Sequence, residues 1–326
     1  MFNGILIFLK KILDRLYITV YTVYIEGRKK DMALFRCEHL TKIIDDYRLN
    51  DINFNIEPGT VMGLVGINGT GKTTLIRLIL GSYNLDETID DRGELFLNEK
   101  HYRKDATEYK SKIAYVLHEN PFYKFMSSLE IGEVYGPYYK DFNIEKYRNL
   151  LKEFDIPEKK MISKLSKGQS IRMQLAFALS YPALLYVMDE PVGNLDVEFR
   201  DRFYDTVRDI VSNEQSSVIL SSHLVTELEN VADDLLWIGR TDNCGYIRYT
   251  GRIDYFKDCF RVLSVAKEKA GDIPKEMIMG ENKNETHNEY LLYERSGDFA
   301  SRLPQEYQAD ARYADLQEIM YFVDKK

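Results

Sequence analysis

Apolar and polar residues follow one another in short, regular patterns along most of the chain. Residues 51–56 alternate apolar and polar positions, as a half-buried strand does, and residues 34–40 have the composition of a strand. Residues 61–65, 184–188 and 217–221 are short apolar runs, which are typical of strands buried on both faces. The first two thirds of the chain therefore contain a series of predicted strands.

Predicted helices separate these strands. Residues 73–80 and residues 197–212 each form a predicted helix, and the first of them is stopped by Gly81. Between residues 121 and 182 the apolar spacing is almost entirely helical, so a helical block interrupts the alternation. Strands that alternate with helices predict an α/β fold with a mostly parallel sheet.

The pattern changes again after residue 251. Residues 260–266 and 289–293 predict strands, and residues 315–323 predict a terminal helix. We therefore expect an N-terminal extension at 1–31, a main α/β domain at 32–250 with its helical subdomain at about 121–182, and a small C-terminal α/β region at 251–326.

Length and composition are those of an ordinary globular protein. The 326 residues allow about two domains, and 44% are apolar while 29% are charged. The net charge of −8 gives no overall positive field for nucleic acid, so no nucleic-acid partner is expected. The three cysteines have no C-x-x-C spacing, which favours a reducing cytoplasm.

The first residues raise the question of a membrane segment. Residues 4–25 are mostly apolar but contain Lys10, Lys11, Asp14 and Arg15. Each ion near the centre of a membrane span costs about 2.5 to 3.5 kcal/mol, so these four argue against a transmembrane helix. An amphipathic helix on a membrane or on a partner, a weakly ordered extension, and a wrongly assigned start codon remain open.

The strongest chemical motif follows the predicted strand at 61–65. It matches the pattern G-x-x-x-x-G-K-[ST] and opens a predicted helix. In such a phosphate-binding loop (P-loop), backbone N–H groups surround phosphate oxygens, the lysine contacts the β- and γ-phosphates, and the hydroxyl of Thr73 can ligate Mg²⁺. The predicted nucleotide-binding residues are Gly66, Ile67, Asn68, Gly69, Thr70, Gly71, Lys72, Thr73 and Thr74.

Two carboxylates end another predicted strand. Asp189 and Glu190 follow the apolar run at 184–188. Alone, the pair is a common strand ending, but in one sheet with a P-loop it lies where an acid can hold Mg²⁺ and a second acid can polarise water. We assign Asp189 to the metal and Glu190 to the attacking water.

Three further motifs carry a resemblance to a known family. Leu165-Ser166-Lys167-Gly168-Gln169 resembles the L-S-G-G-Q signature of the ATP-binding cassette (ABC) family, and it lies 20 residues before Asp189. Gly193-Asn194-Leu195-Asp196 resembles the family's D-loop, and Ser221-Ser222-His223 resembles the strand end that carries its switch histidine. The chain is similar to this family over about residues 34–251.

Three less specific features indicate a subgroup of this family. Lys167 within the signature, the run at 135–139 and the ending at 316–321 are similar to the ATP-binding subunits of bacterial ABC-2 type exporters, the group linked to antibiotic or peptide export.

The resemblance implies a P-loop NTPase cassette with a mostly parallel sheet and a helical signature subdomain. It implies an ATPase that uses ATP and Mg²⁺, with Glu190 and His223 as catalytic residues. Because the signature of one subunit completes the ATP site of another in this family, it also implies a homodimer or heterodimer. Across that interface Ser166, Lys167, Gly168 and Gln169 would serve the partner's ATP, and Asp196 would link the two sites.

The resemblance further implies separate permease chains, which places the protein in the cytoplasm on the inner face of the cell membrane. The family docks its permease on the helical subdomain. The aromatic residues offered for that contact are Phe122, Tyr123, Phe125, Tyr135, Tyr138 and Tyr139, of which some belong to the core.

Two positions depart from the family pattern. The aromatic residue that stacks on adenine is expected near Ile44, so Tyr47 is the candidate for that role. The glutamine expected after the strand ending at Leu117 is replaced by His118, which we assign to the metal side of the site.

Other functions fit the sequence less well. A soluble ABC ATPase that acts on nucleic acid or ribosomes would carry a long coiled-coil insertion or a second cassette, and the chain has neither feature. A kinase built on the same P-loop leaves the signature and the D-loop unexplained.

Overall fold

The computed structural model describes residues 33–85, 92–223, 225–266, 273–283 and 285–324. The predictions for residues 1–31 lie outside the described residues.

The helices and strands alternate in the first part of the chain. In order they are β1 (Phe35–Ile44), β2 (Tyr47–Ile56), β3 (Val61–Val65), α1 (Lys72–Ile79), β4 (Arg92–Leu97), β5 (Lys100–His101), α2 (Ala106–Ser111), β6 (Ile113–Val116), α3 (Ser128–Tyr135), α4 (Ile144–Glu153), α5 (Lys167–Ala178), β7 (Leu185–Asp189), α6 (Val197–Val211) and β8 (Ser217–Ser221).

The remaining elements are shorter on average. They are α7 (Val225–Leu228), β9 (Asp234–Thr241), β10 (Cys244–Arg252), α8 (Ile253–Asp258), β11 (Phe260–Ala266), β12 (Ile278–Lys283), β13 (His287–Tyr293), α9 (Phe299–Arg302), α10 (Gln305–Gln308), β14 (Ala311–Tyr313) and α11 (Leu316–Asp324). Within the described ranges, none of these helices has both the length and the apolar content that a bilayer crossing demands.

The chain divides into two compact units. The first contains the residues before 224 and residues 234–250, and the second contains residues 225–233 and 251–326, as far as these are described. The segment after His223 thus belongs to the second unit, which the sequence pattern did not predict.

The first unit is built on a ten-stranded sheet with the order β5-β4-β1-β2-β10-β9-β3-β8-β7-β6. The strands from β9 to β6 pair in parallel, as the α/β fold class predicted. At the other edge, β1 pairs antiparallel with β2 and β4, so the sheet as a whole is mixed. All five residues of β3, β7 and β8 are buried, which explains why these strands are continuous apolar runs.

The second unit has a four-stranded sheet with the order β12-β13-β11-β14. Leu263, Tyr290, Leu292 and Phe299 are among the buried residues of its own core. The side chain of Glu229 accepts hydrogen bonds from the backbone N–H of Leu316 and from Lys257, at 2.8 and 2.9 Å. A carboxylate at the N-terminus of α11 stabilises that helix through its dipole.

Candidate nucleotide-binding site

The candidate site lies at one edge of the parallel half of the sheet. Strands β3, β8 and β7 are neighbours, and they end at Val65, Ser221 and Asp189. Because parallel strands end at the same edge, the P-loop after Val65 and the carboxylates after Met188 meet there.

Backbone conformation in the P-loop depends on glycine at two positions. Gly71 precedes helix α1 with a φ of 96°, a left-handed conformation that is strained for other residues. A Cβ atom on Gly66 would lie 2.5 Å from the carbonyl oxygen of Ile238, so a side chain there would collide with β9. Thr70 tightens the turn, since its hydroxyl donates to the carbonyl oxygen of Ile67 at 2.9 Å. Because glycine has no side chain, the backbone of the loop is unobstructed at these two glycines.

Lys72 is the first residue of α1 and is 8% exposed. Its Nζ atom donates to the carbonyl oxygens of Gly66 and Ile67, at 2.6 and 3.3 Å. Burial lowers the pKa of Lys72, and the charges of Glu190 and Asp189 oppose that shift. A buried ammonium group held by neutral carbonyls lacks an anionic hydrogen-bond partner, and a phosphate oxygen supplies one.

Ser221 connects the two strand-end acids. Its hydroxyl donates to Oδ1 of Asp189 at 2.6 Å and accepts from the backbone N–H of Glu190 at 2.9 Å. Burial is the main cause that raises the pKa of Asp189; Glu190 adds to the rise, while Ser221, Lys72 and His118 oppose it. A cation next to Asp189 would offset the cost of its buried charge.

Glu190 has a φ of 48°, a left-handed conformation that is strained for a residue other than glycine. Its Oε2 lies 3.6 Å from Nδ1 of His223. Both side chains are accessible to solvent, with 29% and 57% of their surfaces exposed. The glutamate and the histidine can therefore reach one water molecule in the site.

Replacement of Ser221 by alanine tests this arrangement. We expect Ser221→Ala to lower kcat about tenfold or more, because outer groups that orient a metal ligand contribute factors of this size. Steady-state ATPase assays measure the effect, with Ser180→Ala as the matched control, since Ser180 lies just after α5 and its hydroxyl donates to the carbonyl oxygen of Ala176 in that helix. An unchanged kcat in Ser221→Ala would show that Ser221 does not position the two acids.

His118 follows β6 and is exposed. It is close enough to Asp189 for its charge to affect the pKa of that carboxyl group. The backbone just before it is fixed by Gln174 on α5, whose side-chain amide bonds both the N–H and the carbonyl oxygen of Leu117, at 2.9 and 3.0 Å. The structure thus places His118 near the carboxylate edge, and its role toward a metal stays a prediction.

The signature residues form the start of α5. Ser166 caps this helix by accepting from the backbone N–H of Gln169 at 3.1 Å, while Oε1 of Gln169 accepts from the N–H of Ser166 at 3.2 Å. Lys160 donates to the same Oε1 atom at 2.9 Å. Gln169 therefore supports the loop, and Ser166 and Lys167 are exposed at the positive end of the helix.

The signature helix packs closely on the D-loop. A Cβ atom on Gly168 would lie 2.7 Å from the carbonyl oxygen of Asn194, so only glycine permits this approach. Asp196 caps α6 by accepting from the backbone N–H of Phe199, and its carboxylate pairs with Arg172 of α5. The guanidinium of Arg172 also lies 4.3 Å from the ring centroid of Phe199. The signature helix and the D-loop are thus joined by close packing at Gly168 and by the Arg172–Asp196 ion pair.

Tyr47 lies against the P-loop. A Cβ atom on Gly71 would be 3.3 Å from its hydroxyl oxygen, and Gly245 leaves room for the same group on β10. The hydroxyl is buried without a hydrogen-bond partner among the described residues, and burial raises the pKa of Tyr47 to about 12. The structure thus places Tyr47 next to the loop.

The residues at the site fit a nucleotide with Mg²⁺. Thr73 is exposed at the P-loop and Asp189 is buried beside Lys72. Within the described ranges, no group of three or more His, Cys, Asp and Glu side chains could hold a metal by itself. Mg²⁺ does not need such a group, because it is commonly held by one or two protein oxygens together with phosphates and water.

Three residues of the site were missed by the sequence analysis as functional candidates: Ser221, Gln174 and Arg172. Each acts on a residue that is distant in sequence, and a single sequence gives no signal of such contacts. Only Ser221 stood within a motif already singled out.

Comparison with known proteins agrees with this geometry. The family model described as "ABC transporter" matches residues 49–193. A putative ABC transporter ATP-binding protein of Mycoplasma pneumoniae is 30% identical, over 70% of this chain and 75% of its own length. The SkfA peptide export ATP-binding protein SkfE of Bacillus subtilis is 30% identical, over 64% of this chain and 86% of its own. A galactose/methyl galactoside import ATP-binding protein of Clostridium tetani is also 30% identical, over 57% of this chain and 39% of its own length.

Solved structures show the same fold. A structure described as the ATP-binding subunit of an ABC transporter has a TM-score of 0.59 at 22% identity, and the match covers 68% of this chain and 90% of that one. The predicted fold class is confirmed. The relatives and the family model show that the chain belongs to the ABC transporter family, as an ATP-binding, ATP-hydrolysing subunit.

Proposed function

We propose that this ATPase subunit drives a bacterial exporter whose membrane pathway is formed by separate permease chains. The observation that carries the catalytic part is the meeting of Lys72, Asp189, Glu190 and His223 at one sheet edge. These side chains supply a cation for phosphate, a carboxylate for a metal, and an acid–histidine pair for water.

The roles follow from position and charge. The P-loop N–H groups and Lys72 bind the phosphates, while Thr73 and Asp189 would hold Mg²⁺. The metal supplies positive charge that stabilises the charge on the transferred phosphoryl group. Glu190 accepts a hydrogen bond from the attacking water, and His223 is 3.6 Å away, where it can orient the same water or contact the γ-phosphate.

A second cassette completes the site in this proposal. Ser166, Lys167 and Asp196 are exposed, and the N-terminus of α5 carries no acidic residue in its first turn. A helix end of this charge favours an anion such as the γ-phosphate of a facing subunit. Because Arg172 of α5 pairs with Asp196, phosphate binding at one signature would affect the D-loop that faces the other site.

The helical subdomain offers a surface for the permease. Of the six aromatic residues predicted for this contact, Tyr123, Phe125 and Tyr138 are exposed, at 54%, 58% and 80%. Phe122 is buried and packs on Phe177 instead. Exposed aromatic side chains are enriched in protein interfaces, which supports a docking role for the first three.

Export is the direction we favour. The similarity to SkfE, which is named for peptide export, supports it, together with Lys167 in the signature. In this arrangement the subunit lies on the inner face of the cell membrane, bound through its permease.

The experiment has two steps. The full chain, tagged and purified from native cells in mild detergent, should carry an integral membrane protein with it. The double variant Tyr123→Ala/Phe125→Ala should lose that protein, whereas Tyr255→Ala, which removes an exposed tyrosine of the second unit, should keep it. In inverted membrane vesicles, MgATP added outside should then drive uptake of a labelled cargo peptide.

Two results would contradict the proposal. Capture of ribosomes or nucleic acid in place of a membrane protein would favour a soluble ABC ATPase. ATP-driven release of cargo from inverted vesicles would show import.

A further inference from the structure

An arginine outside every predicted motif lies beside the P-loop. Arg240 is at the end of β9, the strand that pairs in parallel with β3 and continues along the loop. A Cβ atom on Gly69 would be 2.8 Å from Nη1 of Arg240, so the guanidinium touches the outer side of the loop. The side chain is nevertheless exposed to solvent.

Two contacts hold this guanidinium in place. Its Nε atom donates to the carbonyl oxygen of Asp242 at 2.6 Å, within the turn that joins β9 to β10. Its Cζ atom lies 5.8 Å from the ring centroid of Tyr47, within the range of a cation–π interaction. Arg240 and Tyr47 are therefore a contacting pair, in which Arg240 lies beside Gly69 and Tyr47 lies beside Gly71.

The position of this pair assigns it to one part of a nucleotide. Lys72 and the loop backbone serve the β- and γ-phosphates, and the two acids occupy the carboxylate edge on the side of β7 and β8. A nucleotide whose terminal phosphates point toward these acids would place its nucleoside on the other side of the loop, where β9, β10 and β2 are neighbours. A guanidinium has only donors, so its partners are acceptor oxygens, and its flat face can also stack on a base.

We propose that Arg240 is a further nucleotide-binding residue, which with Tyr47 holds the nucleoside part of ATP. This inference rests on the proposed nucleotide site and deepens it. The hydroxyl of Tyr47 is buried without a partner among the described residues, so that side chain is placed by packing between Gly71 and Gly245 rather than by its own hydrogen bond. The Arg240 guanidinium then supplies the polar contacts that the ring cannot make.

Calorimetry on the full chain with MgATP, ADP and tripolyphosphate tests the inference. Arg240→Ala should weaken MgATP and ADP binding about tenfold and by equal factors, because both contain the nucleoside. Binding of tripolyphosphate, which has no nucleoside, should be unchanged. Arg240→Lys should recover only part of the affinity, since an ammonium keeps the charge and loses the planar fork.

A matched control separates the local effect from general charge loss. Arg148→Ala removes another surface arginine, which pairs with Glu145 on α4, and it should bind all three ligands as the parent does. Thermal unfolding confirms that each variant is folded.

The outcomes distinguish this inference from the proposed function. If the parent binds MgATP and Arg240→Ala binds it equally well, Arg240 is not part of the site. If Arg240→Ala also weakens tripolyphosphate, the contact is with the terminal phosphates and the assignment to the nucleoside side is wrong. A parent that does not bind MgATP would overturn the proposed site itself.

Discussion

Glu190→Gln should bind MgATP as well as the parent or better, while its rate of hydrolysis falls about 10²- to 10⁴-fold, the range that a positioned general base contributes. Glutamine has nearly the same shape as glutamate, and the backbone N–H of residue 190 can still donate to Ser221. The amide lacks the carboxylate that accepts a proton from water, so the chemical step is lost and not the fold. Loss of one negative charge also removes repulsion toward the phosphates.

The same variant should accumulate as an ATP-bound dimer. If hydrolysis releases the two cassettes, a chain that binds ATP and does not hydrolyse it stays associated. Size-exclusion chromatography with light scattering, in saturating MgATP, measures the mass directly. Glu133→Gln, which alters an exposed glutamate on α3, is the matched control and should keep the parent's rate. A Glu190→Gln protein that remains monomeric would contradict the dimer, and one that hydrolyses ATP normally would contradict the role of Glu190.

The sequence predicted β3, β7 and β8 well because these three strands are buried on both faces. Strands β3 and β8 have the predicted bounds, since a buried strand is an apolar run with sharp polar ends. Other strands of the same sheet were harder to predict. In β10, the glycines at 245 and 251 interrupt the alternation, and the partner residues of this strand are in β2, near the other end of the domain.

The candidate site likewise contains residues that the sequence predicted and contacts that it did not predict. The P-loop and the two acids are local motifs that could be named from the residue pattern, and the signature could be named from its resemblance to that of the ABC family. The contacts that position them are long-range: Gln174 holds Leu117, Arg172 pairs with Asp196, and Ser221 bonds Asp189. Each pair consists of ordinary residue types, and no local pattern marks one of its members as the partner of the other.

Lys72→Ala should weaken MgATP binding about 10- to 100-fold, since a hydrogen bond to a charged group contributes about 1.5 to 3 kcal/mol. In the parent, burial lowers the pKa of Lys72 and the ammonium is bonded to two neutral carbonyl oxygens. Phosphate oxygens replace these with charged acceptors, so the lysine gains more from the nucleotide than an exposed cation would. Isothermal titration calorimetry with MgATP measures the loss.

The substitution also removes the bonds from Nζ to Gly66 and Ile67, so a loosened loop could weaken binding by itself. Lys72→Met addresses this point, because methionine keeps most of the buried apolar stem and lacks the charge. We expect Lys72→Met to bind MgATP as weakly as Lys72→Ala while its unfolding temperature stays nearer to that of the parent. If Lys72→Met bound MgATP as the parent does, packing of the stem and not the ammonium charge would be what the loop requires, and the assignment of Lys72 to the phosphates would be wrong.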